Sequence, residues 1–145
     1  MKFKLIIDKD KDEEVVATVH AHSPLIDEIE ALISKYTDRI PGYTGDDIKM
    51  LAMSQIECVT VLDGKVYAID SQNCKYRLKA RLYELEQQLP SYFIRINKSA
   101  LANETALDRF AVAYTGAVDA VFKCGYREYV SRRCFAQIKR RFDSK

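Results

Sequence analysis

The sequence predicts an α+β domain dominated by antiparallel β-sheet, preceded by a β-β-α leader. Three observations carry this. Most of the 145 residues fall into short runs of alternating or β-branched apolar residues. Tight-turn pairs such as Asp63-Gly64 and Cys124-Gly125 separate those runs. The segments with helical spacing are short and scattered among the strands, without the strand-helix alternation of a parallel sheet.

In chain order, "MKFKLIID" alternates, with Phe3, Leu5 and Ile7 on one side and Lys2, Lys4 and Ile6 on the other. "EVVATVHA" is rich in β-branched residues and follows the charged run "DKDKDEE", so the two stretches predict a β-hairpin. A helix follows. Ser23 suits its cap, Pro24 its first position, and Asp27 and Glu28 the positive end of its dipole. Leu25, Ile29, Leu32 and Tyr36 form its apolar face, and Pro41-Gly42 stops it. "PGYTGDD" reads as a break between a leader (1–45) and a second domain (46–145).

Beyond that break "IKMLA" and "IECVTVL" read as strands, and Asp63-Gly64 turns the chain into "KVYAID". "CKYRLK" follows a turn at Ser71 to Asn73. Leu78, Leu82, Leu85 and Leu89 then mark a short helix that Pro90 closes. "YFIRINKSALANET" begins as a strand, but Arg95, Asn97 and Lys98 crowd three polar side chains into four positions. Strict alternation cannot put them on one face, so the strand must end or bulge near Asn97 and aim Lys98 outward. On this reading Arg95 pairs within the sheet. "RFAVAYT", "AVDAVFK" and "YREYV" continue the strands, and Ser131 caps a last helix with Phe135, Ile138 and Phe142 facing inward.

Net charge is only +2, but its distribution is uneven. Residues 1–50 carry 7 Lys/Arg against 11 Asp/Glu, and residues 51–145 carry 16 against 10. That asymmetry favours a polyanionic partner for the second part, although a solvated basic helix face would produce the same count. Enzyme signatures are missing: the sequence has no P-loop, GxGxxG, GxSxG or HExxH. His20 and His22 would share a strand face but have no further ligand nearby, so no metal or cofactor is expected. Cys58, Cys74, Cys124 and Cys134 lack CxxC spacing and read as reduced thiols. Cys124, between Lys123 and Arg127, is the one whose pKa could be lowered. With no signal pattern and no apolar run approaching the roughly 20 residues of a membrane span, a cytoplasmic, non-inserted protein is expected.

The basic residues Lys65, Lys98, Arg132 and Arg133 all fall at the ends of elements, from which side chains can reach into a groove. The N–H groups opening the helix after Ser131 would also accept a phosphate.

Three ordered stretches, "QIECVTVLDGKVYAID", "RLYELEQQLPSYFIRINKSALAN" and "VFKCGYREYVSRRCFAQIKRRF", resemble the LytTR DNA-binding domain of regulators of the AlgR/AgrA/LytR type. Its strand motif stands here as Phe93-Ile94-Arg95-Ile96-Asn97-Lys98-Ser99 with Ala102-Asn103. The final motif runs from Ser131-Arg132 to Lys139. The likeness spans roughly residues 47 to 143. Residues 1–45 do not resemble a phosphoacceptor receiver, so the chain is similar to stand-alone, response-regulator-like members with a short leader. The resemblance implies an elongated multi-sheet fold whose loop side chains enter successive major grooves of double-stranded DNA. It points to Lys65, Asn97, Lys98, Arg132 and Arg133 as the contact set, and to a transcriptional regulator. Asn97 departs from the family's common His, which puts sequence preference rather than binding in question. The family's redox cysteine would fall near Ile96, so no thiol switch is implied there. A homodimer and a small membrane protein as regulatory partner complete the expectation. The alternative is a protein-interaction module whose leader docks a partner, with DNA binding weak or lost.

Overall fold

The computed structural model describes residues 2–11, 14–37 and 39–143. Helix α1 (Pro24–Thr37) precedes strands β1 (Arg39–Thr44) and β2 (Asp47–Ala52). Then come β3 (Ile56–Leu62), β4 (Lys65–Asp70), β5 (Lys75–Leu78) and helix α2 (Leu82–Gln88). The chain continues through β6 (Phe93–Asn97), β7 (Ala100–Asn103), β8 (Leu107–Val112), β9 (Val118–Phe122) and β10 (Arg127–Val130), and ends in α3 (Arg132–Asp143). Every strand pairing is antiparallel. Seven strands form one sheet in the order β2-β1-β5-β4-β3-β7-β6, and three form a second in the order β10-β9-β8. The α+β, mainly antiparallel class read from the sequence is the observed one.

Alternation along the central strands explains the layering. Val59, Ala68, Leu78 and Leu101 point to one face of the large sheet, where Leu82, Leu85 and Leu89 of the α2 region cover them. Cys58, Ile69, Ala100 and Ala102 point to the other face, against Ala120, Phe122 and Val130 of the small sheet and Ile138 of α3. The middle of the large sheet is therefore buried on both sides, and its strands read as near-continuous apolar runs. The β1–β2 edge is covered on one face only. Leu51 joins the core there, while Ile48 and Met50 remain exposed.

Turn chemistry is as the residues dictate. Asp63 and Gly64 both adopt positive φ, 52° and 75°. A two-residue hairpin turn requires that to match strand twist. Asp70 fixes the next turn by accepting from the N–H groups of Gln72 and Cys74.

Several expectations need correction. Residues 2–8 and 14–19 form no strands, and Phe3, Leu5, Ile7, Val15 and Val16 are exposed. A two-stranded hairpin is marginal in water without further strands or a helix to pack on, and the described residues place no such layer against it. Asp12 and Glu13 of the intervening charged run lie outside the described residues, as does the side chain of Tyr36. The stretch 41–47 is a hairpin: β1 pairs with β2 throughout and touches β5 through Tyr43 and Arg77. Gly42 makes this possible, because a Cβ there would meet Leu51 Cδ1 at 2.6 Å and Tyr76 Cβ at 2.8 Å. Leu78 is the last residue of β5 rather than the first of α2. In α1, Leu25 and Leu32 of the expected apolar face are exposed. In α3, Ile138 is buried and Phe135 packs edge-on against Phe110, while Phe142 is 41% exposed.

Candidate nucleic-acid interface

Strand register decides which loop ends meet. β3 and β4 pair Leu62 with Lys65, and β4 and β5 pair Val66 with Leu78. On the other side β3 pairs Thr60 with Ala100 of β7, and the Val61 N–H donates to the Ser99 carbonyl. The Asp63-Gly64 turn, Lys65, the exit of β5 at Lys79 and the Lys98-Ser99 turn thus occupy one end of the large sheet. Neighbouring strands lie about 4.8 Å apart, so the tips of the two hairpins are roughly 10 Å from each other. Lys65, Lys79 and Lys98 are all exposed there, and Arg81, also exposed, lies two residues beyond Lys79 at the start of α2.

The strand carrying Lys98 does bulge. β6 and β7 pair Arg95 with Leu101 and then Asn97 with Ala100, so Ile96 is the extra residue. A bulged residue leaves its backbone outside the ladder, and the freed Ile96 carbonyl accepts the N–H of Ser131 at 2.9 Å. Asn97 is buried. Its Nδ2 donates to the Tyr129 carbonyl at 2.6 Å, and its Oδ1 accepts the Ser99 N–H at 2.7 Å. Arg95 donates from Nη1 to the Lys98 carbonyl at 2.9 Å and pairs with Glu86 of α2. Three neighbours therefore clamp the turn that exposes Lys98. Arg95 thus pairs with a helix and with the turn rather than within the sheet as the sequence suggested, and it remains partly exposed at the groove.

Ser131 also starts α3. Its Oγ accepts the Cys134 N–H at 3.2 Å and its carbonyl accepts the Phe135 N–H at 2.8 Å. That leaves Arg132 and Arg133 in the first turn, where helical N–H groups have no partner within the helix. Arg133 lines an open groove together with Arg95, Asn97, Lys98, Ser131 and Gln137. Arg132 is exposed beside the groove but does not line it. In the second sheet β8 and β10 both pair with Val118 of β9, through Val112 and Val130. The 113–117 turn, with Tyr114 fully exposed, therefore lies at the α3 end of that sheet.

Of the expected set, Asn97, Lys98 and Arg133 come together, Lys65 stands on the neighbouring hairpin, and Arg132 sits at the helix start. Sequence reading missed Lys79 and Arg81. The β4–β5 register places Lys79 beside Lys65, and Arg81 follows at the start of α2; the helical spacing of the leucines hid the end of β5. Lys79 Nζ stands 4.5 Å from the Tyr43 ring centroid, a cation–π contact that steadies it.

Among the described residues no group of three or more His, Cys, Asp or Glu side chains could hold a metal ion. Burial, then Glu128, pushes the Cys58 thiol up. Burial also raises Cys124, whose N–H donates to Glu57 at 2.9 Å, so the lowered pKa considered for this thiol is not what its surroundings produce. Among the described residues no helix is long and apolar enough to cross a membrane.

Comparison with known proteins gives a consistent picture. The family model for the LytTr DNA-binding domain matches residues 46–143. Two Staphylococcus aureus proteins described as HTH-type transcriptional regulators are 32% and 33% identical over 147 residues. Each match covers 97% of this chain and 97% of the relative. A LytTr DNA-binding domain of a Bacillus cereus response regulator superposes with a TM-score of 0.64 at 20% identity. It covers 70% of this chain and 94% of that one. In the present fold five strands separate α1 from α2 along the chain and five more separate α2 from α3, so no two of these α-helices are consecutive elements.

Proposed function

From the premise that this chain belongs to the LytTr DNA-binding domain family, we propose that it regulates transcription by binding specific duplex sequences through the loop ends of its large sheet and the start of α3. The observation that carries the reading is the clamp that holds Lys98 and Arg133 on one groove. Lys98, Lys65, Lys79 and Arg81 attract phosphates and release counterions. Arg133 is suited to the bidentate recognition of a guanine edge in a major groove about 12 Å wide. Arg132 and the free N–H groups of the first α3 turn add a phosphate seat. Asn97 keeps the turn in shape rather than touching DNA, since both ends of its amide are already bonded within the fold.

The protein acts in the cytoplasm, without catalysis, as a homodimer whose leader responds to a partner such as a small membrane protein. Selection of bound fragments from random duplexes, followed by a salt series on the winners, tests the reading. Enrichment of a sequence with salt-dependent affinity supports it, and no enrichment sinks it.

A second reading also has an observation in its favour. The exposed apolar leader suits a protein-interaction module in which DNA binding is weak or lost. Binding of no duplex by a chain that still associates through its leader would favour it.

A further inference from the structure

The chain carries a strand without a sheet and a sheet edge without a strand. Residues 2–8 alternate, yet they join no strand among the described residues, and Phe3 and Ile7 are 91% and 85% exposed. β2 is the outermost strand of the seven-stranded sheet, so its outer N–H and C=O groups have no ladder partner among the described residues. Ile48 and Met50, 61% and 53% exposed, stand on the face of β2 opposite Leu51, where the small sheet does not reach. An edge of this kind is normally shortened, charged or covered.

We propose that two copies of this chain exchange their leaders, each residue 2–8 stretch adding as an extra strand to the β2 edge of the other copy. This rests on the homodimer part of the function proposed above and not on DNA binding. Three features favour a second copy as the occupant. The lengths agree, since β2 has six residues and the stretch seven. The faces agree, because an added strand can set Phe3, Leu5 and Ile7 beside Ile48 and Met50, forming cross-strand apolar pairs. The charges agree as well. Lys2 and Lys4 begin the stretch while Asp46 and Asp47 lead into β2, which fits a parallel alignment.

A two-fold exchange closes both edges at once. It counts each of those five apolar side chains twice, together with two newly covered strand backbones. Burial on that scale is of the order of the roughly 800 Å² per partner that a specific interface uses. Backbone pairing supplies the affinity, as in other strand additions, and the side-chain pockets supply the register.

The test is sedimentation equilibrium on the full chain, with circular dichroism as the check on folding. The variants are Phe3→Asp/Leu5→Asp, Ile48→Asp/Met50→Asp and Asp46→Lys/Asp47→Lys. All six side chains are exposed, so the domain should stay folded. The parent is expected to be a dimer, and each apolar double variant a monomer at the same concentration. An equimolar mixture of those two should recover a heterodimer weaker than the parent, because one strand-and-edge pair remains intact. The Asp46→Lys/Asp47→Lys variant should dissociate several-fold more readily, and adding Lys2→Glu/Lys4→Glu should restore it.

A parent that stays monomeric overturns the exchange and the homodimer together. A dimer that survives Ile48→Asp/Met50→Asp overturns the β2 edge alone. A mixture that stays monomeric overturns the reciprocal exchange. None of these outcomes depends on DNA, so the duplex-binding reading stands or falls separately.

Discussion

The backbone N–H of Ser131 donates to the carbonyl oxygen of Ile96 over 2.9 Å, and this bond joins the two sequence motifs of the domain. Ile96 can accept because it is the bulged residue of β6, and Ser131 can donate because it precedes the first turn of α3. A strand defect and a helix cap thus satisfy one another, which fixes the Lys98 turn relative to Arg133. Neither motif would hold that geometry alone.

Asn97 reinforces the same junction, so Asn97→Ala should cost stability and affinity together. Removing the amide leaves the Tyr129 carbonyl and the Ser99 N–H without these partners. A loss of about 1–3 kcal/mol in unfolding free energy is expected for such orphaned groups. Duplex affinity should fall too, but its dependence on salt should not change, because no cation is lost. Denaturant unfolding and a salt titration check this. Full stability in the variant would show that the amide does not hold the turn.

Cation removal should behave in the opposite way. Lys98→Ala and Lys79→Ala should leave stability nearly unchanged and lower the slope of log K against log[salt] by about one unit each. Lys75 begins the strand that Lys79 follows, at the far end of the sheet, and Lys75→Ala should keep the parent slope. Arg133→Ala should cost about 1–3 kcal/mol on the preferred duplex and relax discrimination at one position. Equal slopes for Lys75→Ala and Lys98→Ala would mean that the basic end of the sheet is not the contact face.

The bulge at Ile96 was legible because three polar residues in four positions cannot satisfy a strand of period two. The Asp63-Gly64 turn and the Ser131 cap were legible because each answers a local backbone demand. What stayed hidden depends on distant parts of the chain. Residues 2–8 and 14–19 carry strand patterns, but a pattern states only that a face could be buried, not that a layer exists to bury it. The row formed by Lys65, Lys79 and Lys98 arises from pairing among four strands, and no local window contains it. Leu78 stands four residues before Leu82 and so fits a helix by spacing, yet its pairing with Val66 holds it in β5. Long-range pairing won over local period there.

Gly42→Ala should damage the β1–β2 hairpin without touching the contact face. The added methyl would lie 2.6 Å from Leu51 Cδ1 and 2.8 Å from Tyr76 Cβ, and the latter cannot swing aside. Overpacking of this kind costs typically about 1–3 kcal/mol. A lowered thermal midpoint is expected, and duplex affinity should be preserved at temperatures where the variant is folded. An unchanged midpoint would mean that β1 can shift away from Tyr76 at little cost.

The packing between the two sheets also makes stability fall in alkali. Cys58 is fully buried, and burial followed by the Glu128 carboxylate raises its thiol pKa. Tyr126 is raised in turn by burial and then by Glu128, to which its hydroxyl donates at 3.1 Å. In both cases the fold prefers the protonated form. Their contribution is complete below the unfolded values, near 8.5 for a thiol and 10 for a phenol. It is lost as pH rises from those values toward the raised folded ones, because the unfolded chain releases protons that the fold retains. Each group can contribute at most about 1.4 kcal/mol per pH unit. Denaturant unfolding between pH 7 and 11 should therefore show stability declining from about pH 8.5 and more steeply above pH 10. Cys58→Ala should start lower, since it leaves a cavity, but fall less steeply between pH 8.5 and 10. Tyr126→Phe should flatten only the upper limb. Parallel curves for all three proteins would show that these two groups do not carry the alkaline loss.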